Sequence, residues 1–385
     1  MKRLYLPLIV VCLLVAGQAL AADNAFDPPL ATHPVWSAEL PVDLDRLVPA
    51  PGLGLMLAVS CDGDVCAYDA AGELKWTYAS GILGVDVEVD ADGNIWLFDS
   101  PEVAVLDANG EEVWRWIIEE TPPTKRIHAA AAAIIDPNSS TVWGIEPDGG
   151  FAWGVHGLAP GTLLSRHLLD GAGQFIVEAT DFDQLTQQFI CLQEDAYLAW
   201  RFDATPYAEL PINAQYAWPR GDGSCLLAAC TQPAELGGEN GQYGPVVAVN
   251  AGGQLEWEYP ELAYLFPPAA GGDGSCHLLL PDYTVRCLDR DGGERWTYRY
   301  DGKQRLHGCL SLPNGGAVVF TNDWDTGAAD HSSELQAVVI SNTGKPWGPL
   351  MLTGTDPMYQ SQAILDDLLV LGDWSGKLQA YRWNE

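Results

Sequence analysis

The sequence has little positive charge, because 19 lysine and arginine residues stand against 52 aspartate and glutamate residues, for a net charge of −33. Such a chain repels nucleic acid and anionic lipid, so neither is expected as a partner. Catalytic signatures are also lacking: the seven histidines show no HxH or HExxH spacing, and no serine nucleophile elbow occurs. Beyond the N-terminus no apolar run approaches the length that crosses a bilayer, which predicts no transmembrane segment in the mature chain.

The N-terminus has the pattern of a secretory signal. Lys2 and Arg3 precede an apolar run over residues 4–16, and small residues lead to a cleavage site after Ala21. We therefore expect a periplasmic or secreted protein. The expected organisation is a signal peptide over residues 1–21, a leader over 22–32 and a single domain over 33–385.

Eight cysteines would remain after cleavage, and an even number in an exported chain favours disulfides. Cys61 and Cys66 flank one predicted turn, and Cys276 and Cys287 lie symmetrically about another. Each pair is predicted to form a disulfide across its hairpin. The other four could pair over a longer range and are left unassigned: Cys191, Cys225, Cys230 and Cys309.

A unit of strand, glycine turn and tryptophan strand recurs along the chain, most clearly in AYDAAGELKW at Ala67–Trp76. A repeat near 40 residues suits four short strands, and no long helical periodicity appears. The predicted fold is therefore all-β, an eight-bladed β-propeller of four-stranded antiparallel blades. The strand at residues 33–40 lacks a partner and 376–383 lacks a tryptophan strand, so these two are expected to pair and close the ring. The predicted docking residues are the eight outer-strand tryptophans: Trp36, Trp76, Trp114, Trp153, Trp200, Trp257, Trp296 and Trp347.

The pattern A-x-D-x-x-G-x-x-x-W in these repeats resembles the tryptophan-docking motif of the PQQ-like (quinoprotein-like) β-propeller family, over residues 33–383. The resemblance implies that each tryptophan packs between neighbouring sheets, with the small alanine leaving room for it. In predicted blade number, export and size, the chain also distantly resembles the propeller subunit of the outer-membrane β-barrel assembly machinery. It departs from that subunit in its acidity, and in having Val11 before Cys12 where a lipoprotein signal needs a small residue.

One face of the predicted ring is expected to bind a partner. It carries the second–third strand loops, and the two long ones are Cys230–Pro245 and Thr321–Glu334. Loop growth on one face of a repeat array is where binding usually develops. The predicted binding residues are acidic and aromatic: Tyr243, Asp323, Trp324, Asp325, Asp330, Asp373 and Trp374. The alternative is that loops in an acidic protein are simply acidic.

One stretch has the spacing of a calcium loop, with oxygen ligands at alternate positions followed by Gly93. Its candidate ligands are Glu88, Asp90, Asp92 and Asp99. The competing interpretation of the same residues is a strand, an Asp-Gly turn and a second strand, which would not wrap an ion.

The favoured function is a non-catalytic, exported scaffold that binds another envelope protein, with no cofactor expected. A second hypothesis, implied by the family resemblance, is a quinoprotein dehydrogenase that holds PQQ and Ca²⁺, although the adjacent cysteine pair of the alcohol-oxidising type is absent. A third hypothesis is glycan binding by Tyr243, Trp324 and Trp374 together with the loop carboxylates.

Overall fold

The computed structural model describes residues 31–382 with internal breaks. The breaks fall at residues 32, 41–42, 83, 91, 100–101, 118–127, 131–132, 137–140, 147, 157–162, 170–174, 182, 185, 194–196, 208–215, 221, 231–241, 261–262, 265–268, 272, 281, 302–304, 323–335, 352–358 and 374. The predicted signal peptide lies outside the described residues. No helix in the described part of the chain is long and apolar enough to cross a membrane.

The described residues form eight antiparallel sheets, numbered here along the chain. Sheet 1 contains β2 (Leu44–Ala50), β3 (Leu55–Ser60), β4 (Asp64–Asp69) and β5 (Leu74–Ala79); sheet 2 contains β6 (Asp86–Val89), β7 (Ile95–Asp99), β8 (Glu102–Leu106) and β9 (Glu112–Ile117). Sheet 3 contains β10 (His128–Ala130), β11 (Ala133–Asp136), β12 (Thr141–Ile145) and β13 (Phe151–Val155); sheet 4 contains β14 (Leu163–Leu169), β15 (Phe175–Asp181), β16 (Thr186–Leu192) and β17 (Leu198–Asp203).

The second half of the chain continues the pattern. Sheet 5 contains β18 (Tyr216–Pro219), β19 (Cys225–Cys230), β20 (Gln242–Val249), β21 (Leu255–Tyr259) and β22 (Ala263–Tyr264); sheet 6 contains β23 (Ala269–Ala270), β24 (Cys276–Leu279), β25 (Thr284–Leu288) and β26 (Glu294–Arg299). Sheet 7 contains β27 (Arg305–Ser311), β28 (Ala317–Asn322), β29 (Gln336–Ile340) and β30 (Pro346–Met351). Sheet 8 combines β31 (Tyr359–Leu365), β32 (Leu368–Asp373) and β33 (Lys377–Arg382) with β1 (Trp36–Glu39). Two single 3-10 turns occur at Pro51–Leu53 and Thr205–Tyr207.

The core lies between consecutive sheets. Leu44 of sheet 1 packs with Leu368 of sheet 8, and Phe320 of sheet 7 packs with Tyr381 of sheet 8. Because each sheet is covered by a neighbour on both faces, its middle strands are mostly apolar and buried, as in Leu55–Ser60, where all six residues are buried. This arrangement confirms the prediction of an all-β propeller.

The prediction that every blade has four strands is wrong. Sheet 5 has a fifth strand, because β22 pairs with the start of β20 through Gln242 and Tyr243. The segment after β21 contains Pro260, which has no N–H to give to a ladder, and pairing resumes only beyond it. Sheet 6 keeps four strands, although its first strand, β23, has only two residues.

The N-terminal strand lies on the outer edge of sheet 8. Residues of β1 pair in register with β33, from Trp36 opposite Ala380 to Glu39 opposite Lys377. The amide of Leu40 also donates a 2.8 Å hydrogen bond to the carbonyl of Gly376. Sheet 8 is thus assembled from both ends of the described chain.

A tryptophan–glycine contact recurs between sheets. Trp76 in the outer strand of sheet 1 lies over Gly110, in the third–fourth strand turn of sheet 2, and its Nε1 donates a 3.1 Å hydrogen bond to the carbonyl of Ala108. A Cβ atom on Gly110 would lie 2.5 Å from the indole, so only glycine fits there. Its φ of +77° also favours glycine. The same contact joins Trp36 to Gly72, Trp114 to Gly149, Trp200 to Gly253, Trp257 to Gly292 and Trp296 to Gly344.

Each of the eight tryptophans also faces a small or medium-sized residue on the strand next to it. These partners are Ala67, Val105, Gly144, Cys191, Ala248, Cys287, Val339 and Ala380. An indole and a second bulky side chain do not fit side by side in the narrow space between packed sheets. Cys191 and Cys287 therefore occupy the position that alanine holds in the clearest repeat.

The two predicted disulfides are wrong, because all four cysteines are free thiols. Cys276 lies opposite Leu288 and Cys287 lies opposite His277, so the two thiols occupy neighbouring ladder positions and point to opposite faces of sheet 6. Cys66 lies opposite Ala58 and packs between sheets 8 and 1, whereas Cys61 is exposed in the turn between β3 and β4.

Candidate functional site

The two faces of the ring differ in the length of their connections. We call the side that carries the second–third strand turns and the links between sheets the loop face. On the other side every connection between described strands has five residues or fewer. On the loop face, residues 231–241 separate β19 from β20 and residues 323–335 separate β28 from β29, whereas the other second–third connections have two to four residues. The two long second–third connections leave sheets 5 and 7, on either side of sheet 6. Among the links between sheets on the same face, residues 118–127 and 204–215 are of similar length.

The turn of sheet 6 on the loop face has an unusual backbone. The amide of Tyr283 donates a 3.0 Å hydrogen bond to the carbonyl of Leu280, and the φ of Tyr283 is +63°. The equivalent turns of sheets 1 and 8 place Gly63 and Gly376 in the same left-handed conformation. A tyrosine is strained there, by roughly 1–2 kcal/mol.

Neighbouring contacts hold Tyr283 in this conformation. Its carbonyl accepts a 3.0 Å hydrogen bond from the amide of Tyr300, and its ring packs against the core between sheets 6 and 7. Asp282, beside it, is exposed. Strained residues of this kind cluster at functional sites, which makes this turn part of the candidate site. Sequence analysis missed Tyr283. The available signal was a tyrosine at the position where the aligned turns CDGD and WSGK have glycine.

The loop face is acidic at sheet 1. Asp43 and Asp62 are exposed, while Arg46 forms ion pairs with Asp45 (2.8 Å) and Asp86. The pKa of the exposed Cys61 thiol is raised, first by local desolvation and then by the negative charges of Asp45, Asp43 and Asp62. The local field therefore opposes negative charge on a group that approaches this surface.

Most of the predicted binding residues lie outside the described residues: Asp323, Trp324, Asp325, Asp330 and Trp374. Tyr243 lies in β20, opposite Cys230 on one side and Ala263 on the other. Asp373 is only 8% exposed. Its Oδ1 accepts hydrogen bonds from the Ser375 hydroxyl (2.7 Å) and the Lys377 amide (3.0 Å), so this carboxylate stabilises its own turn.

Three of the predicted calcium ligands, Glu88, Asp90 and Asp92, belong to the β6–β7 hairpin, whose turn lies on the opposite face, whereas Asp99 lies at the loop-face end of β7. Glu88 lies in β6 opposite Trp96, and both carboxylate oxygens of Asp90 already accept hydrogen bonds. Oδ1 binds the amides of Asp92 (3.0 Å) and Asn94 (2.8 Å), and Oδ2 binds the indole Nε1 of Trp96 (2.9 Å). This is the geometry of a capped Asp-Gly turn. Asp99 ends β7. Within the described ranges, no group of three or more histidine, cysteine, aspartate or glutamate side chains is arranged to hold a metal ion.

No protein-family model and no curated protein sequence matches the chain. Solved structures do resemble it. BamB from Moraxella catarrhalis has a TM-score of 0.55 at 15% identity, with 91% of this chain and 97% of that chain covered. The Dos1 propeller has a TM-score of 0.59 at 12% identity, with 92% and 96% covered. The WD40 domain of SCAP from fission yeast has a TM-score of 0.55 at 7% identity, with 93% and 95% covered. At these identities the likeness shows the β-propeller fold, while the PQQ-like assignment stays a prediction.

Proposed function

We propose that this protein is a scaffold of the cell envelope that binds another protein through its loop face, between sheets 5 and 7. The observation that carries the proposal is the asymmetry of the connections: two second–third connections, over residues 231–241 and 323–335, are several times longer than the others, and both join strands at the loop face on either side of sheet 6. Functional residues concentrate on loops that a rigid framework holds, and repeat proteins bind on the face where insertions accumulate.

The turn of sheet 6 contributes to the same surface. Tyr283 adds an aromatic side chain in a strained backbone, and Asp282 adds an exposed carboxylate between the two long connections. Tyrosine is among the residues that contribute most to protein interfaces. The acidity of the chain favours a partner whose contact surface is basic, since complementary charge accelerates encounter.

The fold comparisons are compatible with this role, because BamB and a WD40 domain share the architecture. The proposal places this protein in the periplasm or outside the cell, on the basis of its N-terminal signal pattern. The glycan-binding alternative depends on Trp324 and Trp374, which lie outside the described residues.

The test replaces residues 231–241 and 323–335, one at a time and together, with short glycine turns. The ring should stay folded, because loop length contributes weakly to stability. Capture of partner proteins from envelope extracts, identified by mass spectrometry, should be lost. An unchanged partner profile for the double variant would reject the loop face as the binding site.

A charge series provides the matched control. One variant replaces three loop-face aspartates with asparagine: Asp323, Asp325 and Asp330. The control variant neutralises three exposed carboxylates of the opposite face: Asp92, Glu111 and Asp291. The first variant should weaken capture most at low salt, where exposed charges are least screened. The second has the same net charge and should bind as the wild type does.

A further inference from the structure

The loop-face turns of sheets 6 and 8 share one hydrogen-bond pattern but differ in their central residue. In sheet 8 that residue is Gly376, with a φ of +81°, and its carbonyl accepts a 2.8 Å hydrogen bond from the amide of Leu40. In sheet 6 it is Tyr283, with a φ of +63°, and its carbonyl accepts a 3.0 Å hydrogen bond from the amide of Tyr300. Glycine adopts this conformation without strain and tyrosine does not. Of these two turns, the one in sheet 6 therefore stores strain.

The side chain of Tyr283 is only partly buried. Its ring packs against the core between sheets 6 and 7, which includes Leu279, Val285 and Leu306. Release of the ring would give up this shallow contact and the hydrogen bond from Tyr300, while it would let the backbone return to a negative φ. The cost and the gain oppose one another, so the packed and released states lie close in free energy.

The same core contains an indole N–H group that has no hydrogen-bond partner. Trp296 is 5% exposed, and its Nε1 atom is buried and unpaired. Trp76 and Trp257 instead donate from Nε1 to a turn carbonyl of the next sheet, at 3.1 Å and 2.8 Å. A buried donor without a partner costs free energy, which water would return if the core opened. This donor therefore lowers the cost of opening the core against which Tyr283 packs.

The position of the turn connects this local opening with binding. Tyr283 lies on the loop face in sheet 6, and the long connections over residues 231–241 and 323–335 leave the sheets on either side of it. A released tyrosine ring would thus be exposed between the two segments that are proposed to hold the partner. Tyrosine is among the residues that contribute most to protein interfaces.

We infer that this turn is a conformational switch of the loop face. In one state Tyr283 is strained and its ring packs against the core; in the other the backbone is relaxed and the ring is exposed. A partner that contacts the exposed ring binds only the second state and shifts the population toward it. For its partner the switch rests on the proposed function, whereas both states exist in the free protein.

Hydrogen exchange of the free protein tests the switch, because relaxation of the turn breaks the hydrogen bond of the Tyr300 amide. The matched amide is that of Ala204 in sheet 4, which donates a 2.9 Å hydrogen bond to Gln187, a residue of the extended strand β16. The protection factor of the Tyr300 amide should be about tenfold lower than that of Ala204, since strain of about 1.4 kcal/mol corresponds to a factor of ten. Equal protection of the two amides would overturn the inference.

Two substitutions at position 283 separate the strain from the ring. Tyr283→Ala and Tyr283→Gly both remove the ring, but only alanine keeps the strain, so the Tyr300 amide should be about tenfold more protected in the glycine variant. Thr284→Ala and Thr284→Gly form the control pair, because Thr284 lies in the extended strand β25, where glycine should not raise protection. Equal protection in the two variants of position 283, or the same rise at position 284, would overturn the inference. Circular dichroism establishes that each variant is folded.

Partner capture from envelope extracts tests the released ring. Tyr283→Ala should weaken capture, because the partner loses the ring that it contacts, and capture at the wild-type level would overturn the switch. The exchange measurements use the free protein, so their failure would overturn the switch and leave the proposed binding face standing. That face is tested separately, by replacement of the two long connections.

Discussion

Substitution of Gly110 by alanine isolates the energetic contribution of a docked tryptophan. The new Cβ atom would lie 2.5 Å from Cδ2 and 2.7 Å from Cε3 of Trp76, so the indole must move. Overpacking of this kind costs about 1–3 kcal/mol. The displaced ring also loses the hydrogen bond to Ala108, which is worth about 1 kcal/mol. An alanine in the left-handed conformation adds about 1–2 kcal/mol. The total destabilisation is roughly 3–6 kcal/mol.

Gly81 offers a matched control for that substitution. It has nearly the same backbone conformation, with φ +73° against +77° for Gly110, but nothing lies within 4 Å of its would-be Cβ atom. Gly81→Ala should therefore lower the free energy of unfolding by the backbone term alone, about 1–2 kcal/mol. Urea denaturation followed by tryptophan fluorescence measures both variants. Equal losses for Gly81→Ala and Gly110→Ala would refute the view that the turn glycine is a docking surface for the indole.

Three further outcomes are expected. In the native protein a thiol reagent should modify the exposed Cys61 and leave the buried Cys276 unmodified until the protein unfolds. Because the pKa of the Cys61 thiol is raised, the rate at which Cys61 is modified should keep increasing well above pH 8. Asp107→Ala should lower the melting temperature at pH 7, because the Asp107 carboxylate accepts hydrogen bonds from two amides of its own turn. The difference from wild type should shrink as the pH falls through the lowered pKa of Asp107, where this carboxylate becomes protonated. Asn250→Ala, in the equivalent turn, should lower the melting temperature by the same amount at every pH. A mature chain without residues 22–40 should melt at a lower temperature and less cooperatively, because it lacks β1 and exposes the edge of β33; unchanged melting would show that β1 does not help to close the ring.

The repeat made much of the fold predictable. A bulky tryptophan, a small residue opposite it and a turn glycine recur with a period that suits a small sheet, and together they indicate sheets wedged against one another. Pairing of the N-terminal strand with the last strand also followed from the repeat, because the segment at residues 33–40 had no partner nearby. Sheet 5 could not be predicted in the same way, because its fifth strand forms beyond Pro260 by pairing with a distant part of β20.

The disulfide predictions failed for a physical reason that spacing along the chain does not reveal. Cys287 occupies the position opposite a docked tryptophan, where a small apolar side chain is required, and its ladder register directs it away from Cys276. Burial raises the pKa of Cys287 to about 12, as expected of a structural thiol. Cysteine here serves as a small hydrophobic residue.

The candidate site was predictable only in outline. Unequal loop lengths pointed to one face of the ring, and the structure shows the same asymmetry in its connections. Tyr283 was missed because its significance depends on a backbone angle, and the sequence signal for that angle appears only when the turns of different sheets are aligned. Asp373 was assigned to binding on composition, but its carboxylate caps its own turn.

Site-specific photocrosslinking tests the binding face most directly. Asp282 and Asp291 are exposed aspartates of the same sheet, in turns on the loop face and on the opposite face respectively. A benzophenone amino acid is placed at each position, and envelope extracts are irradiated and analysed by mass spectrometry. The account predicts discrete partner adducts from position 282 and none from position 291. Adducts from position 291 alone, or the same adducts from both positions, would contradict it.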